Sequence, residues 1–113
     1  MHELSLIESM LSLVEEERQR QDFSRVLKIR LDVGALGHAE PDALLFCFDA
    51  AARGTIADGA TLTIVMIPGE GNCPDCHRIV LLDHRFGDCP LCGGIQVRMT
   101  AGDELRLAEL EVE

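Results

Sequence analysis

Four cysteines in the second half of the chain have the spacing of a metal site. Cys73 and Cys76 form one C-x2-C pair, Cys89 and Cys92 form another, and 12 residues separate the two pairs. Two thiolates on one tight turn can reach the same ion, and two such turns complete the tetrahedron that Zn²⁺ prefers. The pattern predicts a structural zinc ion, because four cysteine ligands leave no coordination position for a catalytic water.

Other uses of the cysteines fit the sequence less well. The chain opens Met-His-Glu without the basic segment of a signal peptide, so we expect a cytoplasmic protein, and disulfides are rare in that compartment. A thioredoxin-like motif would need only one pair in a larger domain. His77 and His84 lie between the two cysteine pairs. We interpret them as imidazoles on the surface or beside the metal ligands, and not as ligands themselves. Cys47 is interpreted as a small buried residue on an apolar helix face.

The amino terminus offers a second set of metal donors. The terminal amine of Met1, the amide nitrogen and imidazole of His2 and a donor from Glu3 can hold one ion in fused chelate rings. Nitrogen and oxygen donors in a plane suit Ni²⁺ or Cu²⁺. A frayed terminal histidine without a function is the alternative that the local sequence leaves open.

Hydrophobic periodicity predicts a helix that would fix this terminus. Residues 4–20 place apolar side chains on one helical stripe. The stripe comprises Leu4, Ile7, Leu11 and Val14. Ser5 and Glu8 have the spacing of a capping box at its start.

A strand, a second helix and a second strand follow. Residues 25–33 alternate, which predicts a strand with one buried face. That face comprises Leu27, Ile29, Leu31 and Val33, and the other comprises Val26, Lys28, Arg30 and Asp32. Glu40 and Pro41 open the second helix, since proline suits the first helical position. Residues 60–67 are rich in β-branched residues and predict a strand parallel to the first.

The predicted fold is α/β of the α+β type, with two helices on a three-stranded mixed sheet and an inserted zinc-ribbon module. Alternation from Ile95 onward predicts a return strand, with a bulge, that rejoins the first sheet. Residues 69–97 are too few to own a hydrophobic core. We therefore expect residues 1–68 and 98–113 to form one α/β domain and residues 69–97 to form the zinc-binding module.

Composition excludes several classes of function. The formal net charge is -10, and no segment is basic, so a nucleic-acid backbone is a poor partner. The longest apolar runs are too short to cross a membrane. No phosphate-binding loop or Ser/His/Asp set is present, so no catalytic turnover is expected.

In combination, these features resemble the HypA/HybF family of nickel metallochaperones for hydrogenase maturation. The shared features are the Met-His-Glu-x-Ser-Leu start, the helix opening at Glu40-Pro41, the four-cysteine module and a terminal Glu-Leu-x-Leu followed by Glu-Val-Glu. They cover the whole chain in order.

The resemblance implies roles for individual residues. His2 matches the family's nickel ligand, and Glu3 matches a neighbour that contributes through its backbone or side chain. Glu40 matches an acidic position proposed to assist nickel. The four cysteines match the zinc ligands. Arg98 stands where some members have a further histidine ligand, so that ligand is absent here.

The resemblance also implies partners. They are the nickel-binding GTPase HypB and the large subunit of nickel–iron hydrogenase, and some members also serve urease. A second copy of the chain is a further candidate partner, since a terminal strand or the zinc module could exchange between copies. We expect a protein that binds Ni²⁺ at its amino terminus and passes it on by ligand exchange.

Two other functions remain open from the sequence. The first is a zinc-ribbon scaffold for protein contacts, which would bind zinc but no second metal. The second is an enzyme with Cys47 as nucleophile, for which His38 is the candidate base across a loop.

Overall fold

The computed structural model describes residues 2–37, 39–84 and 87–113. Its elements are α1 (Glu3–Gln21), β1 (Val26–Gly34), α2 (Pro41–Ala51), β2 (Thr61–Ile67), β3 (Gly69–Asn72), β4 (Ile79–Leu82), β5 (Arg98–Ala101) and β6 (Leu105–Val112). The strands form two three-stranded sheets, with the orders β2-β1-β6 and β4-β3-β5. The predicted fold class is confirmed.

The chain divides into two compact units. The first comprises Met1–Leu31, Ala39–Val65 and Arg106–Glu113, and it contains both helices. The second comprises Asp32–His38 and Met66–Leu105, and it contains the second sheet and the four paired cysteines. In the described part of the chain, no helix is long and apolar enough to cross a membrane.

α1 buries a stripe that differs in part from the predicted one. Its buried residues are Ile7, Met10 and Val14, which recur at intervals of three and four. Leu4, predicted to be on this stripe, is 43% exposed. The helix starts at Glu3, with His2 as N-cap and no side-chain capping bond, so the predicted capping box of Ser5 and Glu8 is not formed.

α2 begins at Pro41 as predicted, and Leu44 and Phe48 are its buried residues. Its N-cap, Glu40, has an extended backbone conformation, which is the geometry that starts a helix cleanly. Phe46 points away from the core and is 77% exposed.

The first sheet is mixed, as predicted. The Val26 N–H donates to the Ile56 carbonyl at the start of β1, and the Ala35 N–H donates to the Ile67 carbonyl at the ends of β1 and β2. These bonds show that β1 and β2 run in the same direction. The Glu113 N–H donates to the Arg25 carbonyl, so the end of β6 lies beside the start of β1 and these strands are antiparallel.

The return strand is divided between the two sheets, which the sequence analysis did not predict. Residues 98–101 form β5 and pair with β3 in the second sheet, and β6 begins only at Leu105. Gly102 between them has a φ of +117°, and a Cβ there would lie 2.6 Å from the Gly69 Cα. The chain therefore changes sheets at a residue where a side chain would be strained.

β1 is more buried than a strand with one buried face. Val26 and Asp32, both assigned to the exposed face, are 0% and 1% exposed. β1 is the central strand of its sheet, which explains its extra burial. Asp32 belongs to the second unit. Its buried carboxylate has a partner, because no buried side-chain nitrogen or oxygen in the described residues lacks a hydrogen bond.

Candidate metal centres

The first cysteine pair lies in the turn between β3 and β4. The Cys73 N–H donates to the Arg78 carbonyl at 3.0 Å, and the His77 N–H donates back to the Cys73 carbonyl at 2.8 Å. His77 closes this turn with a φ of +58°, which is unfavourable for a residue with a Cβ. The hydrogen bonds fix a compact knuckle that holds Cys73 and Cys76.

The second pair forms a knuckle of the same design. The Cys89 N–H donates to the Gly94 carbonyl at 2.8 Å, and the Gly93 N–H donates to the Cys89 carbonyl at 2.9 Å. Gly93 adopts a φ of +77°, so it occupies the position that His77 occupies in the first knuckle. A Cβ at Gly94 would collide with the carboxylate of Asp75 from the first knuckle, so glycine permits the two knuckles to approach.

The four sulfurs have the spacing of a tetrahedral zinc site. They all lie within 4.8 Å of one another. The Cys73 and Cys92 Sγ atoms are 3.6 Å apart, and the Cys76 and Cys89 Sγ atoms are 3.8 Å apart. A tetrahedron with Zn–S bonds of about 2.3 Å has edges of about 3.8 Å. The residues present therefore fit Zn²⁺, and the predicted four-cysteine site is formed.

The electrostatics of the cluster also favour a bound cation. Burial opposes ionisation of Cys76, but hydrogen bonds from Arg78 and neighbouring thiols outweigh it and lower its pKa to about 6. The Gly94 N–H favours the Cys92 thiolate, but the adjacent sulfurs, Cys73 first among them, raise the pKa of Cys92 to about 12. Four thiolates at this spacing repel one another, and a divalent cation removes that repulsion.

The cysteines also supply much of the second unit's small core. Its buried cluster comprises Leu36, Cys73, Val80, Leu82 and Cys89, with Cys76, Val97 and Met99 packed against it. So small a core leaves much of the unit's stability to the metal, as in other small zinc modules.

The amino-terminal residues lie where the two helices begin. Met1 is outside the described residues. The His2 side chain is 51% exposed, and its Nδ1 is 3.9 Å from the Glu3 Oε1. The Glu3 Oε2 accepts a hydrogen bond from the Glu40 N–H at 3.3 Å. The structure thus brings His2, Glu3 and the backbone of Glu40 together, although 37 residues separate the two glutamates.

Glu3 is held in its charged form. The Glu40 N–H, followed by the amide of Glu3 itself and the charge of His2, lowers the pKa of the Glu3 carboxyl. The resemblance implies a role only for the carboxylate of Glu40, whereas the contact with Glu3 is made by the Glu40 main-chain N–H. The motif gives no signal for it, because the contact depends on how α2 starts beside α1.

Other residues named in the sequence analysis lie elsewhere. Cys47 is half-buried on α2, and Arg98 is exposed at the start of β5. His38 is outside the described residues. Among residues 2–37, 39–84 and 87–113, the four cysteines are the one group of three or more ligating side chains close enough to hold an ion.

Sequence relatives cover the whole chain. The family model described as "Hydrogenase/urease nickel incorporation, metallochaperone, hypA" matches residues 1–112. The hydrogenase maturation factor HypA of Methylocella silvestris is 66% identical over 113 residues, which are 100% of both chains. The protein of the same name from Rhizobium leguminosarum bv. viciae is 53% identical over 112 residues, or 99% of each chain.

Solved structures share the fold. The solution structure of the Ni metallochaperone HypA from Helicobacter pylori matches with a TM-score of 0.72 and 24% identity, covering 99% of this chain and 97% of that one. A second match, titled "Solution structure of HypA protein", has a TM-score of 0.74 and 26% identity, covering 100% and 97%. The resemblance noted from the sequence is confirmed, and it excludes an enzyme that uses Cys47. The chain belongs to the HypA family of nickel metallochaperones for hydrogenase maturation.

Proposed function

We propose that this chain binds Ni²⁺ at its amino terminus and delivers it for assembly of the nickel–iron hydrogenase active site. The donors are the terminal amine of Met1, the amide nitrogen and imidazole of His2, and Glu3. The observation that carries the proposal is the Glu3 carboxylate, which lies 3.9 Å from the His2 Nδ1 and accepts a hydrogen bond from the Glu40 N–H.

The helix start supports this arrangement of donors. The carbonyl of His2 accepts the first hydrogen bond of α1, from the Leu6 N–H at 2.8 Å, so the backbone at position 2 is ordered. The N–H groups of a first helical turn have no acceptor within their own helix. An amide nitrogen at this place can therefore bind a metal without breaking a helical hydrogen bond.

The local charges support reversible binding. The positive ends of α1 and α2 disfavour a cation, and the charged Glu3 carboxylate opposes that effect. The half-exposed imidazole of His2 is accessible to an incoming ligand. A site that is open on one side suits a protein that must release its cargo to a partner by ligand exchange.

Glu40 acts in this proposal through its main chain. Its N–H holds the Glu3 carboxylate close to His2, and its own exposed carboxylate is a candidate outer group near nickel. The four cysteines hold a structural zinc ion on which the folding of the module at residues 69–97 depends.

The partners proposed are the GTPase HypB and the hydrogenase large subunit, in the cytoplasm. The net charge of -10 suits a basic protein face as the docking surface. The scaffold alternative would need zinc without nickel, which does not fit a family of nickel metallochaperones.

Nickel titration of the untagged, zinc-loaded protein tests the proposal. His2→Ala and acetylation of the terminal amine should each weaken nickel binding at least 10-fold, since each removes one donor from the chelate. His84→Ala, a change at an exposed histidine of the second unit, is the matched control and should bind nickel normally. If the His2→Ala protein and the acetylated protein both bind nickel normally, nickel binds elsewhere on the chain.

A further inference from the structure

The four cysteines of the zinc site differ in their exposure to solvent. Cys73 is 0% exposed and Cys89 is 3% exposed, whereas Cys76 is half-buried and Cys92 is exposed. A small oxidant arriving from solvent therefore meets Cys92 first.

The more exposed cysteines and the buried ones are paired across the two knuckles. Cys92 lies 3.6 Å from buried Cys73, and Cys76 lies 3.8 Å from buried Cys89. A disulfide has an S–S distance of about 2.05 Å, so the Cys73 and Cys92 sulfurs need to approach by about 1.5 Å. Each pair therefore joins a more exposed cysteine to a buried one.

We propose that Cys92 is a site of oxidation by peroxide, and that buried Cys73 then captures it in a disulfide that releases zinc. The inference does not depend on the nickel site. It gives the module a second property beside its structural role, namely a fold that is lost when a peroxide is present.

The chemistry balances in two steps. The Cys92 sulfur, which is deprotonated when it binds zinc, attacks one oxygen of hydrogen peroxide; the S–O bond forms, the O–O bond breaks, and hydroxide leaves. The Cys73 thiolate then attacks the sulfenic sulfur, forming the S–S bond and expelling a second hydroxide. Two thiolates lose two electrons, and one peroxide becomes two hydroxides. The remaining pair, Cys76 and Cys89, cannot complete a four-coordinate zinc site.

The experiment uses the zinc-loaded full-length protein and hydrogen peroxide. A chromogenic chelator reports zinc release, and dimedone followed by mass spectrometry reports the sulfenic acid. We expect about one zinc released for each peroxide consumed, and the earliest dimedone adduct on Cys92. Cys47→Ser is the matched control, because Cys47 is half-buried and far from the metal ligands in sequence, and it should behave like the parent.

The position of the disulfide follows directly from a tryptic digest. Cleavage after Arg53, Arg78, Arg85 and Arg98 puts Cys73 and Cys76 in the peptide of residues 54–78, and Cys89 and Cys92 in that of residues 86–98. A bond between Cys73 and Cys92 joins the two peptides, whereas a bond within either knuckle leaves them separate. Fragmentation of the joined peptides identifies the two cysteines.

Three results would overturn the proposal. The first is a disulfide within a knuckle, the second is first labelling at Cys47 or at a buried cysteine, and the third is retention of zinc after several equivalents of peroxide. Reduction with dithiothreitol in the presence of Zn²⁺ should restore the zinc content. Failure to restore it would mean oxidation beyond the disulfide and would also contradict the reversible step.

Discussion

Replacing Gly102 by alanine should destabilise the second unit more than other glycine replacements at positive φ. Gly102 has a φ of +117°, and a Cβ there would lie 2.6 Å from the Gly69 Cα and 3.1 Å from the Leu36 side chain. The backbone conformation costs an alanine about 1–3 kcal/mol, and crowding against the Gly69 backbone costs about 1–3 kcal/mol more. The reduced freedom of the unfolded chain offsets about 0.4–1 kcal/mol.

The net loss should therefore be about 2–4 kcal/mol, measured by urea unfolding of the zinc-loaded protein. Gly59→Ala is the matched control, because Gly59 has a φ of +81° and no atom within 4 Å of its ideal Cβ. That control should lose only about 1 kcal/mol, since it keeps the strain and lacks the crowding. Equal losses in the two variants would refute the close approach of Gly102 to Gly69.

Three further changes have defined outcomes. Cys73→Ser should release zinc and unfold the second unit while α1 and α2 persist, measured by zinc content and circular dichroism; full loss of helicity would contradict it. His77→Gly should keep the zinc and raise stability by roughly 0.5 kcal/mol, because it relieves a φ of +58°. Loss of zinc from the His77→Gly protein would instead show that His77 is a zinc ligand. Because folding lowers the pKa of the Glu3 carboxyl, the charged carboxylate stabilises the fold at pH values above its usual pKa of 4.5. This stabilisation is lost as the pH falls below that value. The difference in unfolding free energy between the parent and Glu3→Gln should therefore be constant above about pH 5 and shrink in acid.

The zinc site was predictable because its chemistry is local. Each C-x2-C pair brings two thiolates to one turn whatever surrounds it, so spacing alone predicts the ligands. The helices were also predictable, since Ile7 and Val14 on α1 and Leu44 and Phe48 on α2 recur with helical spacing and are buried. These are properties of short segments.

The errors arose where distant segments decide the outcome. Asp32 alternates as an exposed residue should, but it lies on the central strand, in the part of β1 that belongs to the second unit. Leu4 continues the predicted stripe, but the stripe that α1 buries comprises Ile7, Met10 and Val14, and Leu4 is 43% exposed. Alternation continues from Val97 to Leu107 through a change of sheet, because the pattern records which residues are apolar and not which strand they pair with.

The two metal sites of this chain are suited to opposite tasks. The zinc site is a closed set of four cysteines, and two of them, Cys73 and Cys89, are buried in the small core of the second unit. The proposed nickel donors instead lie at a chain end beside an imidazole that is 51% exposed. The Glu40 N–H that orders Glu3 is a main-chain group, so the orienting contact survives changes of side chain at position 40. A site that carries a metal as cargo needs both an ordered donor, here Glu3, and an exposed donor, here His2. A partner can then reach nickel without unfolding the protein that holds it.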